Sequence, residues 1–259
     1  MFFNSIFQQI GRKLKYNYYA NNQAECKKNK EILKKARETI DYQNITPLIS
    51  VQIPTYNRPR LLIERAIASV LRQTYQNFEV IIVGDCCTDN TAEMIAKLKD
   101  PRVRFYNLPK RGEYPTNPMD RWRVAGVVPA NKAMDLCKGS WTAPLDDDDE
   151  FTEDHLEVLL GHALKCKHEL VYGVVEMEEK TGNWAKVGSY PLEHGKICRL
   201  SALYTSKLDF FRYDINSWKY AEPADWNMWR RMKEAGVHIG FVDKIVGKHY
   251  LEGTQRGEK

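Results

Sequence analysis

The 259-residue chain has no run of about 18 apolar residues, so no segment offers a membrane-spanning helix. Its first residues, MFFNSIFQQIGRKLK, lack a charged region followed by a long apolar stretch and a small-residue cleavage site, so they do not read as a signal peptide. None of the six cysteines (Cys26, Cys86, Cys87, Cys137, Cys166, Cys198) sits in a C-x-x-C pair, which leaves zinc-ribbon and thioredoxin readings without support. A cytoplasmic location with reduced thiols is the expectation. There is no G-x-G-x-x-G and no G-x-x-x-x-G-K-[ST], so neither the dinucleotide fingerprint nor the P-loop is available. The body also lacks net charge. The chain carries 39 Lys+Arg against 34 Asp+Glu, a net of +5, and residues 1–46 hold that whole excess. A nucleic-acid partner is not expected, because tracking phosphates needs a basic footprint on the folded body.

What is present is enough apolar and aromatic material for a closed core: 43% hydrophobic residues, with 6 Trp, 14 Tyr and 9 Phe. Residues 1–46 read as a basic, amphipathic helical arm. Phe2, Phe3, Ile6, Phe7, Ile10 and Leu14 recur at helical spacing, and Arg12, Lys13 and Lys15 accompany them. Such a stripe either docks on the body or on a second subunit, or lies on an anionic membrane surface through residues 1–20. Residues 27–38 read as a charged, solvated helix.

From Pro47 onward, short apolar runs alternate with helical patterns. Leu48–Ile53, Phe78–Val83 and Val103–Tyr106 read as strands, with a helix over 60–73 and another from residue 90. Asn90 and Glu93 have capping-box spacing. This alternation predicts βαβ units and a parallel sheet, whose ligands bind beyond the carboxyl ends of the strands. Those positions are polar: Pro54-Thr55-Tyr56-Asn57-Arg58, then Gly84-Asp85-Cys86-Cys87, then, after Trp141–Leu145, Asp146-Asp147-Asp148-Asp149-Glu150.

Four adjacent aspartates are either a solvated turn leading into a helix N-terminus or a cation site. Oxygen-only donors suit Mg²⁺ or Mn²⁺, which take one or two protein carboxylates together with substrate phosphates. The charge map favours a diphosphate site. Residues 97–138 hold ten basic and four acidic residues, whereas 140–180 hold twelve acidic and three basic.

The segments SVQIPTYNR, VIIVGDCCTDNT, PANKAMDLCKGSW and LDDDDEF, in that order, resemble the nucleotide-binding half of a family 2 glycosyltransferase. The resemblance extends more weakly through ADWNMWRRM, over roughly residues 47–250. It implies an α/β, GT-A-like single domain, with a mostly parallel sheet flanked by helices behind the N-terminal arm. Residues 47–151 would then be the nucleotide-sugar-binding half and 152–259 the acceptor-binding, catalytic half. It further implies an inverting, metal-dependent transfer from a nucleotide-diphosphate sugar, of the UDP class, to a hydroxyl of a glycan or lipid-linked sugar. Carried over by position, Pro54, Thr55, Tyr56 and Asn57 line the base and ribose, and Asp85 accepts from the base's ring N–H. Asn131 faces the nucleotide sugar. Asp146 and Asp148 form the D-x-D pair: Asp146 meets the ribose or the metal, Asp148 holds the Mn²⁺ or Mg²⁺ directly, and Asp147 stands beside the nucleotide. His249, after a strand at Lys244–Lys248, either completes the metal site or is structural.

The family's catalytic base sits in an E-D pair that opens a helix. Here Ala224 replaces the glutamate and Asp225 keeps the aspartate, so Asp225 is the first candidate base and Glu222 the second. Asp225 is otherwise a helix cap, and Asp89 is read as stabilising the start of its own helix. Cys86 departs from the family's glycine or aspartate and is expected to strain the turn. Ala224 and Cys86 keep a catalytically inactive sugar-nucleotide-binding protein open as an alternative. A nucleotidyltransferase is the other alternative, although PTYNR lacks the glycine-rich loop expected of one.

Overall fold

The computed structural model describes residues 22–252. The apolar runs become β1 (Ile49–Thr55), β2 (Phe78–Gly84) and β3 (Val103–Asn107). They are followed by β4 (Trp141–Pro144), β5 (Glu150–Phe151), β6 (Leu170–Glu178), β7 (Trp184–Val187), β8 (Ala202–Thr205) and β9 (Ile239–His249). The sheet order is β3-β2-β1-β4-β8-β6-β9-β5, with β7 also paired to β6. β3, β2, β1 and β4 are mutually parallel, as the alternating pattern predicts. Beyond β4 the sheet is mixed. β8 is antiparallel to both β4 and β6, β9 is parallel to β6, and β5 is antiparallel to β9. The sheet is thus parallel through β4 and mixed beyond it, where the longest pairing, β6 with β9, is again parallel, in keeping with the expected mostly parallel sheet. One sheet crosses the boundary at 151/152, because β5 pairs with β9.

Successive residues of a strand face opposite sides. On β6, Val171 and Val175 join a core cluster shared with Leu62, Ile67, Leu156 and Leu159. Leu170 and Tyr172 join a second cluster, shared with Met134, Met228, Trp229 and Leu33. Helices thus cover both faces. One face is packed by the segment after β1, made of Pro59–Leu61, a π-helical stretch Leu62–Ile67 and Ala68–Leu71, together with the helix His155–Cys166. The other is packed by the helices Val127–Leu136 and Ala224–Ala235.

Two local expectations change. Asn90 precedes the helix Thr91–Ala96 but makes no side-chain capping bond; Asp89 Oδ1 instead accepts from the backbone N–H of Thr91 at 3.1 Å and from its hydroxyl. The charged helix, observed over residues 22–37, is not solvated all round. Asn29 and Leu33, four residues apart, are buried, Cys26 Sγ donates to the carbonyl of Glu234, and Arg37 pairs with the buried Glu169. The stripe from Phe2 to Leu14 lies outside the described residues. Among the described residues no helix is long and apolar enough to cross a membrane.

Candidate active site

Because β1, β2 and β4 run parallel, the polar segments after them meet at one edge. The first two are tied together directly. Asp85 N–H donates to the carbonyl of Thr55 at 2.8 Å, continuing the ladder past Gly84. Asn57, at a positive φ of 50°, accepts from Thr88 N–H at 2.9 Å and donates to its hydroxyl at 3.2 Å. Asn107, at the end of β3, accepts from Cys87 N–H at 2.8 Å and donates to Cys87 O at 2.9 Å. These bonds hold the turn in which Cys86 adopts a φ of 60°.

Asp85 is buried at 3% exposure and accepts from Gly112 N–H at 2.9 Å. Arg111 approaches the other Asp85 oxygen at 3.7 Å and lies over the Tyr56 ring at 3.5 Å. A carboxylate, a guanidinium and an aromatic face thus converge on one slot. Beside it opens a cavity of about 650 Å³ lined in part by Arg111, Gly112, Tyr114 and Trp218.

The four aspartates form a turn between β4 and β5, and each is held by a partner from another segment. Arg199 donates to Asp146 at 2.8 Å and to the Tyr213 hydroxyl at 3.2 Å. Thr55 donates its hydroxyl proton to Asp147 at 2.6 Å. Arg58 donates to Asp148 at 2.6 Å and stands 3.5 Å from Asp147. Asp149, fully buried, meets His249 Nδ1 at 3.0 Å and accepts from Tyr250 N–H at 3.1 Å. Arg65, from the π-helical stretch, donates to the carbonyl of Asp148 and pairs with Glu252 at 2.7 Å.

This crowding has an electrostatic consequence. Burial, reinforced by the charge of Asp148 and opposed by the Thr55 hydroxyl, pushes Asp147 up to about 7. Asp148 and Asp149 are also raised, again chiefly by burial. Burial by itself would lower His249, but its bond to Asp149 and the charges of Asp149, Asp146 and Asp148 outweigh that and lift it to about 9. The turn crowds four carboxyls beside Arg58, Arg199 and His249, and its donors are hard oxygens. That chemistry fits Mg²⁺ or Mn²⁺. Asp149 occupies Nδ1 of His249, which leaves Nε2 as that ring's ligand atom. The oxygens of Asp146 and Asp148 do not close with His249 into a tight ligand set, so phosphate and water oxygens would have to complete a shell.

Asp225 lies in the first turn of the helix Ala224–Ala235, whose N-cap is Pro223, so Asp225 is not the cap residue. Burial raises its carboxyl, and the charges of Asp146 and Arg199 act on it as well. Asp225 therefore lies within electrostatic reach of the acidic turn. Glu222 is committed elsewhere: both of its oxygens are held by Arg230, at 2.8 and 3.0 Å, and Asn227 donates to one of them at 2.7 Å. Asn131 is also committed elsewhere. Its amide donates to Tyr213 O at 2.9 Å and accepts from Tyr213 N–H at 3.0 Å, which makes it a strut under the residue that carries Arg199. Trp229 is fully buried in the core, whereas Trp226 is half-buried and tilted against His194.

Arg199 and Tyr213 are the site residues that sequence reasoning missed. They flank β8, Arg199 in the 3-10 turn Arg199–Ser201 before it and Tyr213 in the loop after it, neither in a recognisable motif, and the pairing of β8 with β4 sets this region beside Asp146.

A family model for glycosyl transferase family 2 matches residues 50–116 and 127–222. The chain belongs to glycosyl transferase family 2. It is 30% identical over 226 residues to the hyaluronan synthase of Pasteurella multocida, covering 83% of this chain but only 22% of that synthase. Among solved structures, S. aureus TarS 1–349 in complex with UDP-GlcNAc matches with a TM-score of 0.60 at 19% identity, over 82% of this chain and 61% of that one. The mannosyltransferase PcManGT from Pyrobaculum calidifontis, in complex with GDP-Man and Mn²⁺, matches with a TM-score of 0.60 at 17% identity, over 93% and 67%. The family 2 chain has the GT-A fold, in agreement with the resemblance read from its motifs.

Proposed function

We propose that this family 2 chain transfers a sugar, with inversion, from a UDP-class donor to a hydroxyl of a glycan or lipid-linked acceptor. The observation that carries the reading is the gathering of the buried Asp85, the turn Asp146–Asp149 with its burial-raised Asp147, Asp148 and Asp149, and Asp225 toward one sheet edge. The complexes of TarS and PcManGT support a nucleotide-diphosphate sugar donor, that of TarS with UDP-GlcNAc supports the UDP class, and the hyaluronan synthase supports a glycan acceptor.

Asp85 accepts from the ring N–H of the base, and Tyr56 and Arg111 offer it flat surfaces. Pro54, Thr55 and Asn57 shape the wall beside the base and ribose. Asp146 and Asp148, with Nε2 of His249, would hold the divalent cation, and Asp147 is kept in place by Thr55 and Arg58. When bound, that cation supplies charge neutralisation for the departing diphosphate. Asp225 takes the proton of the acceptor hydroxyl as its oxygen bonds to the anomeric carbon and the nucleoside diphosphate leaves. A carboxyl raised by burial is a stronger base than an exposed one, which suits this role.

A donor screen with mass-spectrometric readout, run with Mn²⁺ and with Mg²⁺, tests the reading. Transfer or hydrolysis of a UDP-sugar is expected, and Asp148→Ala should reduce it by at least about a hundredfold, the scale of a lost electrostatic contact in a transition state. Normal turnover by Asp148→Ala would remove the metal assignment. UDP binding by calorimetry without turnover of any donor would favour the inactive, nucleotide-binding alternative. Residues 1–20 are proposed as a peripheral membrane contact. Removing them should abolish liposome binding, and unchanged binding would rule that contact out.

A further inference from the structure

A second cluster of ligating groups lies at the opposite end of the sheet. The carboxylates follow the carboxyl end of β4. β8 is antiparallel to both β4 and β6, so β4 and β6 point the same way, and the start of β6 marks the far edge. There the ligand atoms of His162, Cys166 and His168 all lie within 4.8 Å of one another, the only such triad among the described residues.

The local fold builds this arrangement. His162 and Cys166 are four residues apart on the helix His155–Cys166 and so share a face. Lys167 ends the helix in the left-handed conformation at φ 54°, and His168 N–H donates back to Ala163 O at 3.0 Å. That turn brings His168 beside His162, with ring centroids 5.2 Å apart and planes 15° apart. His168 Nδ1 is buried without a hydrogen-bond partner, next to Gly240, where an added Cβ would come within 2.3 Å of it.

We infer that His162, Cys166 and His168 form a site for a soft divalent cation, Zn²⁺ being the natural occupant, with water in the fourth position. Zinc–nitrogen and zinc–sulfur bonds of about 2.0–2.3 Å require these atoms to close by only on the order of 1 Å, within the reach of side-chain rotation. A thiolate with two imidazoles selects zinc over magnesium and manganese, whereas the oxygen donors of the acidic turn have the opposite preference. Binding releases the thiol proton of Cys166 to solvent. The bound ion would clamp the end of the helix to the start of β6, far from the transfer site, so the inference stands independently of the proposed activity.

Cobalt titration of the chelator-stripped chain tests this. One equivalent of Co²⁺ should give a thiolate-to-cobalt charge-transfer band in the near ultraviolet, displaced by Zn²⁺. Cys166→Ser should abolish the band and His162→Ala should weaken binding about 10–100-fold, the range for a disrupted metal site. Asp148→Ala and Cys198→Ser should leave the band unchanged, which separates this site from the acidic edge. Absence of the band in the unaltered chain, or its persistence in Cys166→Ser, would overturn the inference. In parallel, Zn²⁺ should raise the melting temperature of the unaltered chain and not that of Cys166→Ser.

Discussion

Cys86 holds a left-handed backbone conformation that a non-glycine residue adopts at a cost of about 1–2 kcal/mol. The bonds from Asn107 to Cys87 keep it there. Cys86→Gly relieves the strain but loosens the unfolded chain, so a net gain of up to about 1 kcal/mol is expected in urea unfolding. At the other end of the site, Asp225→Asn keeps the shape and removes the base. Transfer should fall by about a hundredfold or more while UDP affinity, read by calorimetry, stays the same. Retained transfer would exclude Asp225 as the base. Both residues were legible in the sequence, because a strand end or a helix start fixes where such a residue points. Arg199 was not legible: nothing in its neighbours announces that a later strand pairing will set it against Asp146. Asn131 was legible by position, but its bonds were not. Its position matches the family pattern, yet a backbone partner 82 residues away takes up its amide.

At the scale of elements, the alternation of apolar runs and helices was readable through β4, helped by the buried, β-branched runs of β1 and β2. β5 and β7 are two and four residues long, too short to show a period. The π-helical stretch was also hidden, since an added residue per turn leaves no mark on an apolar stripe. It carries Arg65 to Asp148 and Glu252, in keeping with the tendency of such turns to sit at functional sites. The helix His155–Cys166 yields a pH prediction. His155 is fully buried, its Nδ1 is 2.8 Å from Val246 O, and its Nε2 has no partner. Burial lowers it to about 4. The unfolded chain takes up the proton near pH 6.5 while the folded chain refuses it, so stability is full above that pH and declines as the pH falls towards 4. The loss attributable to this ring is about 2 kcal/mol by pH 5. Urea unfolding at pH 5 and pH 8 should show a smaller difference for His155→Leu than for the unaltered chain, and an equal difference would reject the assignment.

For the whole molecule, the helix 22–37 is part of the packed body. Leu33 is 1% exposed within the second core cluster, so Leu33→Ala should cost about 3 kcal/mol, measurable by denaturant unfolding. The sequence showed this helix as charged and hid its buried face, because a single leucine among lysines gives no visible stripe.

The strand β8 has a wider consequence. Among the described residues, its four residues are the sole rung between the parallel set β3-β2-β1-β4 and the set β6-β9-β5, and Tyr204 alone is paired on both sides, with Thr142 and with Leu170. The two sets can each gather early, but the sheet becomes continuous only when residues 202–205 slot between them. Closure by an internal strand with distant partners is intrinsically slow. Amide protons of β8 should accordingly be among the last to exchange with deuterium, released only when the entire molecule opens, whereas those of the edge strand β3 should exchange through local fraying.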